Sequence, residues 1–265
     1  MPSIENIQEA VGMTTYEKLA ITLSAIAILI PIIQWIWKKW IMKESVQFFP
    51  TGQAMLFFNQ SGSYIRIYGV LESKNKATTI KKIRIVISRM RDDRKLNLAW
   101  SHIISPVNQS MLGRFVQTTE AAHPFRVEAD SVACAFIEYC DPSDSSGIKI
   151  RNICSNLNPY IQGIVSNHNF VEALELFSKS PEFLDARNQV APDMFWEVGK
   201  YTVDVYVEYG KRKTKAFPLE FSVTEQNYID FQKNISEALL ASLKNCYNTP
   251  CDFKTPTVEV SERKV

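Results

Sequence analysis

The chain has 265 residues, 46% of them hydrophobic and 22% charged, with a formal net charge of +2. This balance is that of a folded globular protein and excludes a disordered one. The near-neutral total gives no electrostatic ground for a nucleic-acid partner. Five cysteines, at 134, 140, 154, 246 and 251, form no paired pattern. That excludes a disulfide framework and suits free thiols in a reducing compartment, although Cys246 and Cys251 stand close enough in sequence to bridge.

Residues 1–17 read as a short extracytoplasmic amino terminus, and 18–43 as a transmembrane helix with its flank. Leu19 to Trp37 is an uncharged run of nineteen residues. At about 1.5 Å per residue it nearly spans the ~30 Å hydrocarbon core. Thr14 and Glu17 have the spacing of a capping box at its start. Pro31 falls inside it, which membrane helices tolerate. Trp35, Trp37 and Trp40 stand where an aromatic belt meets the interface. Lys38, Lys39 and Lys43 follow the span, whereas a cleaved signal peptide carries its positive charges before the apolar stretch. The positive-inside rule therefore puts the carboxy-terminal side in the cytoplasm. Ala20, Ser24 and Ala27 form a small-residue face through which the span could form a homo-oligomer.

Residues 44–250 read as one cytosolic domain. "SYIRIYGVLES" alternates, with Ile65, Ile67 and Leu71 on one face and Tyr64, Arg66 and Tyr68 on the other. "TIKKIRIVISRMR" sets Ile83, Ile85 and Ile87 against Lys82, Arg84 and Ser88. "LNLAWSHII", "FRVEA" and "SVACAFIEYC" continue the strand pattern, the last apolar on both faces. "KYTVDVYVEYG" turns through "KRKTK" into "FPLEFSV", with Tyr201, Val203, Val205, Val207 and Tyr209 inward, facing Phe217, Leu219, Phe221 and Val223. Period two with β-branched enrichment argues strands. Pro218 lacks an amide donor, which places its strand at an edge or turns that position outward.

Two helical parts interrupt the strands. An insertion from about Asp141 to Asp193 carries Phe170, Leu174 and Phe177 at helical spacing. A carboxy-terminal helix at about 225–247 carries Tyr228, Phe231, Ile235, Leu239 and Leu243 on one stripe, with Thr224 as its cap. Residues 251–265 read as a loose tail. About seven strands at this spacing predict a mainly β fold: an immunoglobulin-like antiparallel β-sandwich with a helical insertion and a carboxy-terminal helix, preceded by one transmembrane helix.

"FFNQSGSYIRIYGVLESKNKATTIKKIRIVISR" resembles a segment of uncharacterised bacterial single-pass membrane proteins, in which FNQSG-S/P-Y opens a β-rich domain soon after the span. The resemblance covers Phe48 to Trp100. It implies a bacterial inner-membrane location and a similar layout, and no activity. "WEVGKYTVDVYVEYGKRKTKAFPLEFSV" is similar to the last two strands of immunoglobulin-like modules, a likeness of fold that carries no function.

Motifs of catalysis are missing. The nine glycines form neither G-x-G-x-x-G nor G-x-x-x-x-G-K-S/T, and G-x-S-x-G and H-E-x-x-H are absent. The three histidines, 102, 123 and 168, have no metal-ligand spacing. A Cys–His nucleophile pair, such as Cys154 with His168, is conceivable, but cysteine packs readily as a small apolar residue. "DPSDSSG" reads as a turn, without the ligand count of a calcium loop. No catalytic, cofactor or metal residue is therefore assigned. Basic residues do cluster, from Lys74 to Lys95 and again at Lys211, Arg212, Lys213 and Lys215. Lys81, Lys82 and Arg84 are the candidate contacts to anionic lipid headgroups, with a solvated sheet face as the plain alternative.

The expected role is a membrane-anchored cytosolic binding or adaptor module, non-catalytic, acting on a protein partner or a cytosolic ligand. One rival is a membrane effector whose span oligomerises to perturb the bilayer when the domain senses a signal. Another is an enzyme with a site assembled from scattered residues.

Overall fold

The computed structural model describes residues 14–37, 42–111 and 114–263, with the backbone alone for 106–111 and 114–117. The chain divides into two units, Met1–Glu44 and Ser45–Val265.

In the first unit, α1 (Thr15–Ile36) begins with the capping box expected from sequence. The Glu17 carboxylate accepts the Thr14 N–H at 2.8 Å, and the Thr14 hydroxyl accepts the Glu17 N–H at 3.3 Å. At 1.5 Å per residue the helix is about 33 Å long. It is long and apolar enough to cross a membrane, and none of its most apolar window is buried. Pro31 lies within it.

Among the described residues the second unit has eleven strands: β1 (Ser45–Asn59), β2 (Gly62–Lys74), β3 (Thr78–Arg89), β4 (Lys95–Met111), β5 (Arg114–Ala121), β6 (Phe125–Val127), β7 (Ser131–Cys134), β8 (Ile137–Cys140), β9 (Gly199–Tyr209), β10 (Lys213–Val223) and β11 (Thr257–Glu262). Eight of them form a closed ring in the order β4-β8-β2-β1-β11-β10-β9-β3, and the β3–β4 pairing returns to the start. Every pairing is antiparallel. The other three flank the ring, β5 on β4, β6 on β3 and β7 on β2. Alternate side chains fill the interior: Leu56, Ile65, Ile67, Ile85, Ile137, Val203, Val205 and Leu219 are all buried. An eight-stranded barrel has room for side chains of this size and little else.

Helices close one end of this barrel. After β8, the chain runs through α2 (Ser145–Val165), α3 (Phe170–Ser178), α4 (Pro181–Val190) and a 3-10 turn (Ala191–Asp193) before re-entering at β9; α5 (Glu225–Cys246) follows β10. The β1–β2 turn lies against them, where the Gln60 amide donates to the Ala238 carbonyl at 2.9 Å. Trp196 is fully buried where helices meet barrel. Its ring packs against Tyr201, Phe221 and Phe231, and its N–H donates to the Phe57 carbonyl at 2.8 Å. A buried indole needs such an acceptor. The stripe on α5 faces inward as its spacing requires, with Phe231, Ile235, Leu239 and Leu243 buried.

The barrel replaces the expected sandwich. A sandwich leaves unpaired edges on two facing sheets, whereas here β4 bonds both β3 and β8, and β11 bonds both β1 and β10, so the strands close into a ring. The stretch read as a loose tail supplies a barrel strand: β11 lies between β1 and β10. Pro218 fits the ring because β11 is short. The Pro218 carbonyl accepts from the Arg263 N–H at 3.1 Å, just beyond the last residue of β11, so its missing donor faces a strand that has ended. "SVACAFIEYC" forms two short strands, β7 and β8, both on β2. β1 has no counterpart among the strands expected from sequence. Its alternation is broken by a bulge between Pro50 and Ala54, where Gly52 takes a φ of 88°.

Candidate functional site

The bulge in β1 has a consequence on the outer wall. It carries Thr51, Gly52 and Gln53 out of the β1–β2 ladder, with Gln53 still opposite Glu259 of β11, and a groove of about 710 Å³ opens there. The outward residues of β10 and β11 form its floor, among them Glu220, Ser222, Thr257, Glu259 and Ser261, with Lys200, Thr224 and Asn227 at one end. Phe221, Val258 and Val260 border it but point into the barrel core. The groove thus offers carboxylates, hydroxyls and one ammonium, a surface for a polar ligand rather than an apolar one.

A second concentration of polar groups lies on β2, β4 and β8. Arg66 donates Nε to Glu138 at 2.7 Å, and Glu138 also faces the His102 Nδ1 at 3.3 Å. Ser101 lies 3.2 Å from the same His102 nitrogen, donates to the Glu138 carbonyl at 3.1 Å and approaches the Cys140 sulfur at 3.3 Å. This is not a catalytic triad. A proton relay needs the carboxylate on one imidazole nitrogen and the hydroxyl on the other, and here both meet Nδ1. Burial pushes the Cys140 thiol up, and burial with the nearby Glu138 charge pushes Tyr64 up to about 12. Both groups are held in their neutral forms.

The other residues considered for chemistry are occupied structurally. Cys154 is buried, its thiol pushed up by burial, and it contacts Gln60 and the Ala238 carbonyl. His168 instead faces Glu172 at 3.5 Å. The Asp141 carboxylate accepts from the backbone and hydroxyl of both Ser143 and Ser145, which spends its oxygens on the turn into α2. Among the described residues, no group of three His, Cys, Asp or Glu could hold a metal ion.

The basic residues that are neighbours in sequence part company in space. Lys81, Lys82 and Arg84 are exposed on β3. Lys82 lies opposite Glu208, and the Arg84 guanidinium sits 4.3 Å from the centre of the Tyr206 ring. Arg89 is buried at the helix-capped end, bonded to Asp92 at 2.8 Å and to Glu197 at 2.7 Å. Arg91, Arg94 and Lys95 are exposed at that end too. Lys74, which ends β2, and Lys76 in the β2–β3 turn lie by contrast at the opposite end, beside Lys211 and Arg212 in the β9–β10 turn and Lys213 at the start of β10. Of the residues expected at a membrane interface, Trp35 and Trp37 are exposed at the end of α1, and Lys38, Lys39 and Trp40 fall outside the described residues. The Arg66–Glu138–His102 network and the groove were not legible in sequence. Glu138 is 72 positions from Arg66, and the groove depends on β11.

No protein-family model matches the chain, and no curated protein or solved structure matches it significantly.

Proposed function

We propose that the chain is a single-pass membrane protein whose Ser45–Val265 unit is a cytosolic, non-catalytic binding module. The observation that carries this reading is a separation of roles. α1 contributes no buried residue, while the hydrophobic core is drawn entirely from Val46 onward. A helix apolar on every side, with no protein to cover it, finds its stable environment in hydrocarbon. The lysines that follow the span orient the module toward the cytoplasm, and five free thiols suit that compartment. The FNQSG-S-Y resemblance supports a bacterial inner membrane. The groove beside the β1 bulge is the place for a ligand, and its carboxylates and hydroxyls select one that exchanges hydrogen bonds.

A reporter enzyme active only in the periplasm, fused after Val265, should stay silent, while the chain stays with membranes through an alkaline wash. Release by the wash would overturn the anchor; strong reporter activity would overturn the orientation.

A further inference from the structure

We propose that the barrel end at which β1 begins docks on the anionic surface of the same bilayer that holds α1. The proposal rests on the membrane reading above and adds to it a contact surface with a defined chemistry.

Strand register brings the participants together. Ser45, the first residue of β1, pairs with Lys74, the last of β2. The β2–β3 turn beyond Lys74 lies beside the β9–β10 turn, because β3 pairs with β9 and the Gly210 N–H donates to the Thr79 carbonyl at 3.0 Å. Lys211 and Arg212 in that second turn and Lys213 at the start of β10 are all exposed, and the turn holds no acid. Lys215 donates to the Val46 carbonyl at 2.9 Å, next to the strand start. On the first turn, Glu72 pairs with Lys74 at 3.7 Å, and Asp130 accepts the Asn75 N–H. Glu44 adds an acid at the entry itself, and Glu128, paired with Arg126, another beside Asp130, yet Lys43, Lys74, Lys76, Lys211, Arg212, Lys213 and Lys215 outnumber these acids where the chain enters the barrel.

Chain length supplies the second argument. Residues 37–44 separate α1 from β1. Fully extended, they reach about 28 Å. An entry point so tethered stays near the headgroups, and a tether turns weak attraction into occupancy. The surface potential acts within about one Debye length, so the docking needs the turns beside Ser45 to meet the headgroups directly. β3 alone, with twelve residues at about 3.3 Å each, runs roughly 40 Å along the strand, which the tilt of barrel strands, about 35–45°, reduces to about 30 Å between the two ends.

Trypsin cuts after lysine and arginine and so reads both ends at once. The full chain would be placed in nanodiscs of zwitterionic lipid, or of the same lipid with phosphatidylglycerol, and cleavage followed by mass spectrometry. Each basic residue at an anionic surface is worth about a fivefold preference. Cleavage at Lys74, Lys76 and Lys211–Lys213 should therefore slow at least about fivefold in anionic discs and recover with salt. Cleavage at Arg91, Arg94 and Lys95 should be equal in both. The double variant K211E/R212E should restore cleavage after Lys74 and Lys76, with its melt as a folding control and K211Q/R212Q as the milder form. Equal rates at the near turns in both discs, or equal protection at both ends, would overturn the docking and leave the anchor standing. Failure to enter nanodiscs would overturn the anchor itself, and the docking with it.

Discussion

Asn234 and Lys254 form a reciprocal pair. The Asn234 Nδ2 donates to the Lys254 carbonyl at 2.7 Å, and its Oδ1 accepts the Lys254 N–H at 2.7 Å. Asn234 is fully buried in α5, and Lys254 precedes β11 by three residues. One amide thus sets the level at which the last strand enters the barrel. Replacing Asn234 by Ala removes both bonds and leaves a backbone donor and acceptor with no partner in the protein. The cost should be about 2–4 kcal/mol, read as a lower urea midpoint. An unchanged midpoint would show that other contacts fix this segment.

Removal of β11 should be worse than any single substitution. A chain ending at Pro256 exposes the ladder groups of β1 and β10 as two open edges, and it should aggregate or lose its cooperative melt. A synthetic Thr257–Glu262 peptide added in trans should restore part of the transition if closure is what was lost. A soluble truncation that melts like the full chain would refute the closed ring.

Gly69 and Phe48 give a test of interior packing. A Cβ on Gly69 would lie 2.4 Å from the Phe48 ring and 2.9 Å from the Phe49 carbonyl. Gly69→Ala should therefore destabilise by about 1–3 kcal/mol through overpacking. The paired change Gly69→Ala with Phe48→Leu should recover part of the loss, since the ring is the near neighbour. A neutral Gly69→Ala would mean that Phe48 moves aside freely.

Arg89 and Asp92 predict an acid limb of stability. The Arg89 guanidinium bonded to Asp92 pulls its carboxyl down to about 2 from an ordinary 3.8. A carboxyl depressed in the folded state adds stability above its unfolded value and loses it as pH falls toward the folded one. This contribution should be present at neutral pH and vanish between about pH 4 and pH 2. Asp92→Asn should melt lower than the parent at pH 6, and the gap should narrow toward pH 2. A gap independent of pH would assign the effect to packing instead.

Thiol chemistry should divide the five cysteines. Cys134 and Cys246 are exposed, whereas Cys154 is buried and its thiol pushed up. A disulfide reagent under native conditions should modify the first two quickly and Cys154 only on unfolding. Rapid native modification of Cys154 would contradict its place between α2 and α5.

Some of this was written locally in the chain. The Thr14–Glu17 cap, the inward set of Ile65, Ile67, Ile83, Ile85, Val203 and Val205, and the apolar stripe of α5 follow from periods of 2 and 3.6. Each period needs only neighbours in sequence to be read. The apolar helix of α1 was equally legible, because its composition makes the case without reference to any other segment.

What lay beyond the sequence was decided by pairing at a distance. Alternation tells a strand which face is buried, but a sandwich and a barrel bury the same faces, and only the β3–β4 and β1–β11–β10 pairings tell them apart. "TVEVSE" is too short for its period to stand out, so β11 became a strand only through the neighbours that bond it on both sides. The bulge at Thr51–Gln53 disguised β1 and opened the groove in one step. The basic stretch from Lys74 to Lys95 looked like one cluster because its residues are close along the chain. β3 runs the length of the barrel and carries the two halves of that stretch to opposite ends, where Arg89 is buried among carboxylates and Lys74 joins a turn from β9. Local sequence determines the face a side chain takes; the closure of the ring determines which side chains share an end.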